Sequence, residues 1–328
     1  MSNLEAAPTE IICKAAPSAG MEILAPREVP LGGPRAMPVL RTLPQRQRSL
    51  IGAWCAADHY GPLDVVHSGG MDLPPHPHTG LQTVSWLFSG EIEHRDSAGV
   101  RALIRPGELN VMTAGAGICH SEVSTSATDV LDGFQLWVAL PAGDRDTARA
   151  FEHYVPEPIC RPGATIRVFV GDLPAADGGR SPVHTFTPLL GAQIDLAAHA
   201  RIMLDISPAF EHGVLVGQGI VEVSGVILSR GAMAYQGPGH SAVSCSNPGP
   251  GIARVLLLGG PPFTEELVMW WNFIGRSHQD IVAYRELWER HDVRFGAVDG
   301  YKGTVARLPA PALPNVTLRP RPAPGSAV

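Results

Sequence analysis

The sequence predicts an all-β protein built as two similar β-barrels in tandem. The 36 glycines and 31 prolines among its 328 residues punctuate short apolar runs. That pattern is typical of many short strands joined by turns. The runs are rich in Val, Ile, Leu and Thr, several of them alternate, and one stretch resembles a later one. The similarity of the two stretches predicts the duplication of the barrel.

Seven stretches are the candidate strands. In chain order they are GLQTVSWLFSGEIEHRD, VRALIRPGELNVMTA, DVLDGFQLWVAL, TIRVFVGDL, RIMLDISP, HGVLVGQGIVEVSGVIL and ARVLLLGG. The clearest helix lies over residues 277–291, where Ser277 is a suitable N-cap with Asp280 three residues later. One face of that helix would carry Ile281, Tyr284, Leu287 and Trp288.

Glycines at matching positions define an internal repeat. SWLFSGEIEHRDSAGVRALIRPGELNVMTAGAG aligns with VLVGQGIVEVSGVILSRGAMAYQGPG, each reading as strand, Gly, strand, turn, strand, Gly, strand, Gly. The matched pairs are Gly90 with Gly219, Gly107 with Gly231, and Gly115 with Gly239. Two copies of one β-unit predict tandem barrels. The boundary would lie near residues 140–165, where PAGDRDTARAFEHYVPEPIC interrupts the strands.

The chain therefore divides into five predicted segments. They are an irregular N-terminal segment (1–40) with a strand around Ile11–Cys13, a first barrel (41–145), a second barrel (165–262), a helical segment (263–306) and a disordered Pro-rich tail (307–328).

Composition excludes several classes of function. The net charge of −6 and pI of about 6.1 provide no electrostatic footprint for a phosphate backbone, so we expect no direct nucleic-acid binding. The five cysteines are odd in number and form no CxxC pair, which favours a reducing cytoplasm over a disulfide framework. No signal peptide or run of 18 apolar residues is present, so we expect a cytoplasmic protein without a membrane anchor.

The stretch PPHPHTG places two histidines two residues apart. Side chains at i and i+2 of a strand point to one face, so His76 and His78 could share a metal ion. Pro77 has no N–H for a sheet ladder, which predicts an edge or bulged strand. Taken alone, the motif fits structural histidines equally well.

A second pair, His120 and Glu122, has the same spacing. Gly115 and Gly117 just before it are turn residues that would direct this strand inward. Three imidazoles and one carboxylate form a mixed N/O set that suits Fe(II), Mn, Ni or Cu and leaves positions open for substrate or O2. Cys119 should point away from the metal into the core, by alternation.

Two further histidine groups are expected to be structural. His94, in Glu93-His94-Arg95-Asp96, could belong to a network behind the ligands, but a hairpin end with a turn at residues 96–99 is favoured. In the second copy, an ungapped alignment places no ligand set opposite the first. The aligned residues are Asp205, Ser207, Ser244 and Ser246, with His212 and His240 out of register. We expect a metal-free second barrel that serves as wall or lid.

The motifs HPHTGLQTVSWLFSGEIEHRDSAG and IRPGELNVMTAGAGICHSE resemble the pirin family of the cupin superfamily, with the pattern HPHxGxET…LxGxxxHxDSxG…xxPGxxQxMxAGxGxxHSE. RTLPQRQRSLIGAWCAADHYGP, LDGFQLWVAL and MWWNFIGRSHQDIV also fit bacterial pirins, so the resemblance covers roughly residues 35–295. It implies a bicupin, two double-stranded β-helix barrels followed by a C-terminal helix, with His59 near the pocket. It also implies one metal in the first barrel. The ligands would be His76, His78, His120 and Glu122.

The resemblance implies Fe(II) as the metal, with Mn, Ni, Cu or Zn as alternatives. Some pirins act as quercetin 2,3-dioxygenases, so one hypothesis is a dioxygenase that cleaves a flavonol, with His120 and Glu122 as catalytic residues. Other pirins are described as regulators, so the alternative is a non-enzymatic, redox-dependent metal protein that binds a partner protein. A cupin acting with another metal on an unrelated small molecule is the third possibility. We expect a monomer.

One residue departs from the family pattern. The family's Glu four residues after the second histidine is Gln82 here. Gln cannot act as a base, so we expect Glu122 to carry that role alone.

Overall fold

A computed structural model describes residues 21–32, 36–174 and 179–320. The strand predicted around Ile11–Cys13 lies outside these ranges. Within them the chain forms 24 strands and two helices: β1 (Glu22–Leu24), β2 (Arg27–Pro30), β3 (Pro38–Leu43), β4 (Trp54–Asp64), α1 (Val65–Ser68), β5 (Asp72–His78), β6 (Leu81–Ser89), β7 (Ile92–Asp96), β8 (Arg101–Ile104), β9 (Leu109–Thr113), β10 (Ile118–Ser124), β11 (Val130–Ala139), β12 (Ala150–Tyr154), β13 (Ile159–Arg161), β14 (Ala164–Gly171), β15 (Leu190–Leu196), β16 (Arg201–Asp205), β17 (Glu211–Gln218), β18 (Ile220–Val223), β19 (Val226–Ser229), β20 (Met233–Gln236), β21 (Ala242–Ser246), β22 (Ala253–Gly260), β23 (Val268–Trp270), β24 (Phe273–Gly275) and α2 (His278–Glu289).

Two barrels with the same strand arrangement make up the fold. The first combines a seven-stranded sheet, β12-β9-β6-β11-β4-β3-β2, with a four-stranded sheet, β5-β10-β7-β8. The second combines β1-β20-β17-β22-β15-β14-β13 with β16-β21-β18-β19. Each strand of one barrel has a counterpart in the other, so the predicted pair of similar barrels is confirmed. None of the helices in the described ranges is long and apolar enough to cross a membrane.

The barrels pack through the outer faces of their large sheets. Trp86 stacks on Phe169 with 4.6 Å between ring centroids, and its Nε1–H donates to Gln193 Oε1 at 2.7 Å. Trp54 Nε1–H donates to the carbonyl of Leu190 at 3.1 Å. Buried aromatic side chains whose polar atoms are hydrogen-bonded stabilise such an interface without a desolvation cost.

The N-terminal segment is more ordered than the predicted irregular segment over residues 1–40. β1 pairs with β20 of the second barrel, whereas β2 and β3 extend the sheet of the first. Each of these strands supplies backbone partners to a sheet edge that would otherwise be unpaired. Short strands between prolines lack the periodicity that sequence reasoning needs.

The C-terminal helix has the predicted cap. Ser277 accepts a hydrogen bond from the N–H of Asp280, and the Asp280 side chain accepts from the N–H of Ser277. This capping box satisfies two backbone donors at the start of α2. Of the predicted apolar face, Ile281, Tyr284 and Trp288 are buried.

The Pro-rich tail differs from the expected disorder over the part that the structure describes. Leu308 and Ala310 are buried, and the Leu308 carbonyl accepts from Trp288 Nε1–H at 2.9 Å. The Leu308 N–H donates to the carbonyl of Pro75 at 2.9 Å. Apolar residues between the prolines therefore pack on α2 and β5, and residues 321–328 lie outside the described ranges.

The second barrel has apolar residues at the positions of the predicted ligands. In the first barrel, Glu122 lies across from His94, which is four residues after Gly90. In the second, Cys245 lies across from Val223, four residues after Gly219. Cys245 is therefore the counterpart of Glu122. Continuing the register along β21 and β16 gives Val243, Leu204 and Ile206 as the counterparts of His120, His76 and His78.

The ungapped alignment was therefore wrong by one residue, although its conclusion about ligands stands. It assigned Asp205, Ser207, Ser244 and Ser246 to these positions. A one-residue shift moves every side chain of a strand to the opposite face. Ser244 and Ser246 were misplaced because Gly115 precedes His120 by five residues, whereas Gly239 precedes Val243 by four. Asp205 and Ser207 were misplaced because Gly90 follows His76 by 14 residues, whereas Gly219 follows Leu204 by 15. All four true counterparts are buried and apolar.

His212 lies inside the second barrel and is a packing residue. Its side chain is 1% exposed, and neither ring nitrogen has a hydrogen-bond partner in the described part of the chain. Burial lowers the pKa of His212 to about 4. The folded barrel therefore holds this ring neutral, whereas the unfolded chain protonates it near pH 6.5. His240 is exposed.

Replacing His212 by Leu should make the protein less sensitive to acid. Because the folded pKa of His212 lies below the unfolded value, stability is lost as pH falls from about 6.5 toward 4. Between pH 7 and pH 5, the free energy of unfolding should fall by about 1–2 kcal/mol less in His212→Leu than in the wild type. Urea denaturation at both pH values measures this difference. The exposed control His199→Asn, at a histidine that does not perturb the pKa of His212, should follow the wild type, and equal pH dependence in all three proteins would contradict the prediction.

Candidate metal centre

One strand pairing brings the predicted histidines together. β5 lies at the edge of the small sheet and pairs antiparallel with β10, so that His76 lies across from His120 and His78 from Ile118. Facing and alternating residues then share the inner surface of the barrel. The three imidazole rings lie with centroids 4.3–5.1 Å apart.

The predicted edge position and the predicted bulge both occur in β5. Pro74, Pro75 and Pro77 lack backbone N–H groups, which an edge strand tolerates because only one side needs hydrogen bonds. The register shifts between His120 and Glu122, where β5 contains one residue more than β10. Such a bulge redirects the following side chains.

The three histidines offer a convergent set of ligand atoms. The ligating nitrogens of His76, His78 and His120 all lie within 4.8 Å of one another, and the three side chains are fully buried. Each Nε2 lacks a hydrogen-bond partner among the described residues. A buried polar atom without a partner costs about 1–3 kcal/mol, so this convergence is what a metal ion would relieve. The residues therefore fit a bound metal.

The histidines are in the protonation state that metal binding requires. Burial lowers the pKa of His76 to about 3 and holds the pKa values of His78 and His120 well below their usual range. All three are neutral at physiological pH and keep a lone pair for a metal. His76 Nδ1 lies 2.8 Å from the carbonyl of Pro74, and donation there leaves Nε2 free.

Glu122 lies in an overlapping group of possible ligands. Its carboxylate is within 4.8 Å of ligating atoms of His94 and His120, and it is 1% exposed. Ser85 Oγ donates to Oε1 at 3.5 Å, whereas Oε2 has no partner among the described residues. The two groups share His120, so Glu122 lies beside the three-histidine group.

His94 is the residue that the sequence assigned to a hairpin end. The turn after Asp96 is present, with the Gly99 N–H donating to the Asp96 carbonyl. The His94 side chain nevertheless points inward, 2% exposed, with Nδ1 3.4 Å from His120 Nδ1. The pairing of β7 with β10, which sets His94 across from Glu122, produces this orientation. Its i, i+2 spacing from Asp96 on a predicted strand was the available signal.

Three other residues singled out from the sequence lie outside the two ligand groups. Gln82 Nε2–H donates to Thr113 Oγ1 at 3.0 Å and to the His184 carbonyl at 3.2 Å. His59 contacts Asp132 at 2.8 Å and stacks on a phenylalanine, so it is not brought to the histidines. Cys119 packs in the apolar cluster around α2, and its predicted orientation away from the site is confirmed.

Comparison with known proteins identifies the family to which this two-barrel chain belongs. A family model described as pirin matches residues 36–138, and a model described as the pirin C-terminal cupin domain matches residues 191–296. The chain belongs to the pirin family. The resemblance drawn from the motifs is thereby confirmed, and the two barrels of this pirin are cupin domains.

Similar proteins cover most of this pirin. A Pseudomonas aeruginosa protein provisionally named a quercetin 2,3-dioxygenase is 43% identical over 292 residues, which are 88% of this chain and 89% of that protein. A pirin-like protein of Caulobacter vibrioides is 33% identical over 269 residues, 79% of this chain and 90% of that one. The crystal structure of a quercetin 2,3-dioxygenase from Acinetobacter baumannii has 37% identity and a TM-score of 0.85, covering 92% of this pirin and 97% of that chain.

Purified protein should bind about one transition-metal ion per chain, and the binding should depend on His120. His120→Ala removes the imidazole shared by both ligand groups, so its metal content after dialysis should fall to about a tenth or less. Elemental analysis measures the content. His67→Ala, at an exposed histidine, should match the wild type. Full occupancy in His120→Ala would contradict this assignment of the site.

Proposed function

We propose that this pirin is an Fe(II)-dependent dioxygenase that opens the heterocycle of a flavonol such as quercetin. One observation carries the proposal: three neutral, buried imidazoles converge with unpartnered Nε2 atoms beside a buried carboxylate that keeps one oxygen free. Relatives named as quercetin 2,3-dioxygenases support the choice of substrate class.

The metal would be held by His76, His78, His120 and Glu122. A set of three imidazoles and one carboxylate suits Fe(II), and also Mn, Ni, Cu or Zn, while leaving positions for substrate. When bound, the metal supplies Lewis-acid activation of the flavonol hydroxyl and redox chemistry with O2. The fully buried ligands would keep bulk water from the reacting centre.

Glu122 is suited to remove the proton of the flavonol 3-hydroxyl. Ser85 Oγ lies 3.5 Å from its Oε1, whereas Oε2 has no partner among the described residues and is available to accept a proton. The single hydroxyl proton of Ser85 can also be donated to Gln135 Oε1 at 3.0 Å, which holds the hydroxyl beside the carboxylate. The resulting flavonolate is electron-rich, and its reaction with one O2 breaks the heterocycle and releases one carbon monoxide.

The inner wall offers further hydrogen-bond donors for such a substrate. Gln135 and Asn110 each lie across from Ser85 on the neighbouring strands and are buried. Gln135 Nε2 and Asn110 Nδ2 have no partner among the described residues. Two amide donors near Glu122 match the acceptor oxygens of a flavonol, and Trp137, 5.2 Å from the ring of His78, offers an aromatic face.

Protein reconstituted with Fe(II) under argon should release carbon monoxide and consume O2 in equal amounts when given quercetin. His120→Ala should lose both activities because it loses the metal. Gas chromatography and an oxygen electrode measure the two gases. No carbon monoxide from fully metallated wild-type protein would overturn the enzyme proposal. In that case, a comparison of partner proteins captured by the Fe(II) and Fe(III) forms would test the regulator alternative.

Substitutions of Glu122 and of Gln82 should have very different effects on kcat. Glu122→Gln removes the base and should lower kcat by about 10²–10⁴-fold, at a metal content that is measured in parallel. Gln82→Glu restores the family residue at a position that contacts Thr113 and the His184 backbone, so kcat should stay within about threefold. A large gain in Gln82→Glu would show that the carboxylate at that position is needed.

A further inference from the structure

We propose that Asp96 and His94 fix the tautomer of His120 through a chain of two hydrogen bonds, and that both are positioning residues for the metal centre. The inference rests on the proposed metal site and adds two residues behind it. It assigns to each of the two imidazoles the nitrogen that carries the proton.

The chain starts at a carboxylate held in place by the backbone. Asp96 Oδ1 accepts from the N–H groups of Ala98 at 2.8 Å and Val100 at 3.1 Å. The side chain is 3% exposed, so the turn fixes the direction of the second oxygen. Asp96 Oδ2 lies 3.2 Å from His94 Nε2. Because a carboxylate only accepts, this contact requires the proton of His94 to be on Nε2.

The tautomer of His94 then determines that of His120. With its proton on Nε2, His94 presents Nδ1 as an acceptor, 3.4 Å from His120 Nδ1. The hydrogen bond forms only if His120 carries its proton on Nδ1. His120 Nε2 is then left with its lone pair, and this atom is the unpartnered nitrogen beside His76 and His78.

The arrangement follows the general logic of metal-binding histidines. The nitrogen opposite the metal usually donates to a carboxylate or carbonyl, which sets the tautomer and the ring orientation. His76 uses the Pro74 carbonyl in this way. His120 reaches its carboxylate through an intervening imidazole. Packing of the His94 ring against Phe151, 4.9 Å between centroids, holds that intermediate in position.

Asp96→Asn tests the chain with little change of shape. The asparagine oxygen can still accept from Ala98 and Val100, whereas its NH2 donates to His94 Nε2 instead of accepting from it. His94 must then carry its proton on Nδ1 and donate to His120 Nδ1. His120 is forced to place its proton on Nε2, toward the metal position. The substitution therefore reverses the proton order of the whole chain.

Two measurements test the predicted reversal of the proton positions. ¹⁵N chemical shifts of the metal-free protein report the tautomer of His120, which should change from Nδ1–H in the wild type to Nε2–H in Asp96→Asn. Competition with a chelator reports metal affinity, and the Kd for Fe(II) should rise about 10–100-fold. His94→Gln, whose amide can accept from His120 and donate to Asp96, should stay closer to the wild type than His94→Leu.

The matched control is Glu93→Gln. It changes a carboxylate to an amide on the same strand, but Glu93 pairs with Arg95 and Arg101 away from the histidines. Its tautomer and affinity should equal those of the wild type. An unchanged His120 tautomer in Asp96→Asn would overturn the inference, as would direct ligation of His94 in the metal-loaded wild type. A wild-type protein that has the expected tautomers and binds no metal would instead refute the proposed function.

Discussion

The antiparallel pairing of β5 with β10 is the constraint on which the candidate centre depends. It sets His76 across from His120, and Glu122, two residues after His120 on β10, faces the same side of the strand. β5 contains three prolines and has a sheet neighbour on one side only. Its other side is contacted by the C-terminal segment, where the Leu308 N–H donates to the Pro75 carbonyl. A segment from the far end of the chain thus supports the strand that carries two histidines.

The two barrels share one topology, but their interiors differ in polarity. The second barrel fills its interior with an apolar cluster that includes Leu204, Val243 and Cys245, at the positions where the first carries the candidate ligands. An apolar, close-packed interior is stabilising. The interior of the first barrel instead holds buried polar atoms that have no partner among the described residues, an arrangement that costs stability. The two barrels share an aromatic interface. Through it, the stable second barrel can support the first barrel, whose interior is suited to chemistry.

Sequence periodicity predicted what depends on local spacing. The i, i+2 pairs identified His76, His78, His120 and Glu122, and the repeated glycines identified the two barrels. Register between distant strands was less accessible, because one connection shorter by one residue and another longer by one moved the second-copy alignment off by one. The inward orientation of His94 and the packing of residues 307–320 depend on contacts with elements far away in the sequence. Those contacts have no local signature.

The net charge of the candidate metal centre is determined by the burial of its side chains. The three histidines of the group are neutral because burial opposes their protonation, so Glu122 is the one ionisable side chain among the candidate ligands that can bring negative charge. A divalent ion held by this set would keep net positive charge in a buried place, where electrostatic attraction is strong. Such a site favours an anionic ligand. Under the proposed function, that ligand would be the flavonol after its proton has moved to Glu122, and the neutral histidines and the single carboxylate would together stabilise the deprotonated substrate.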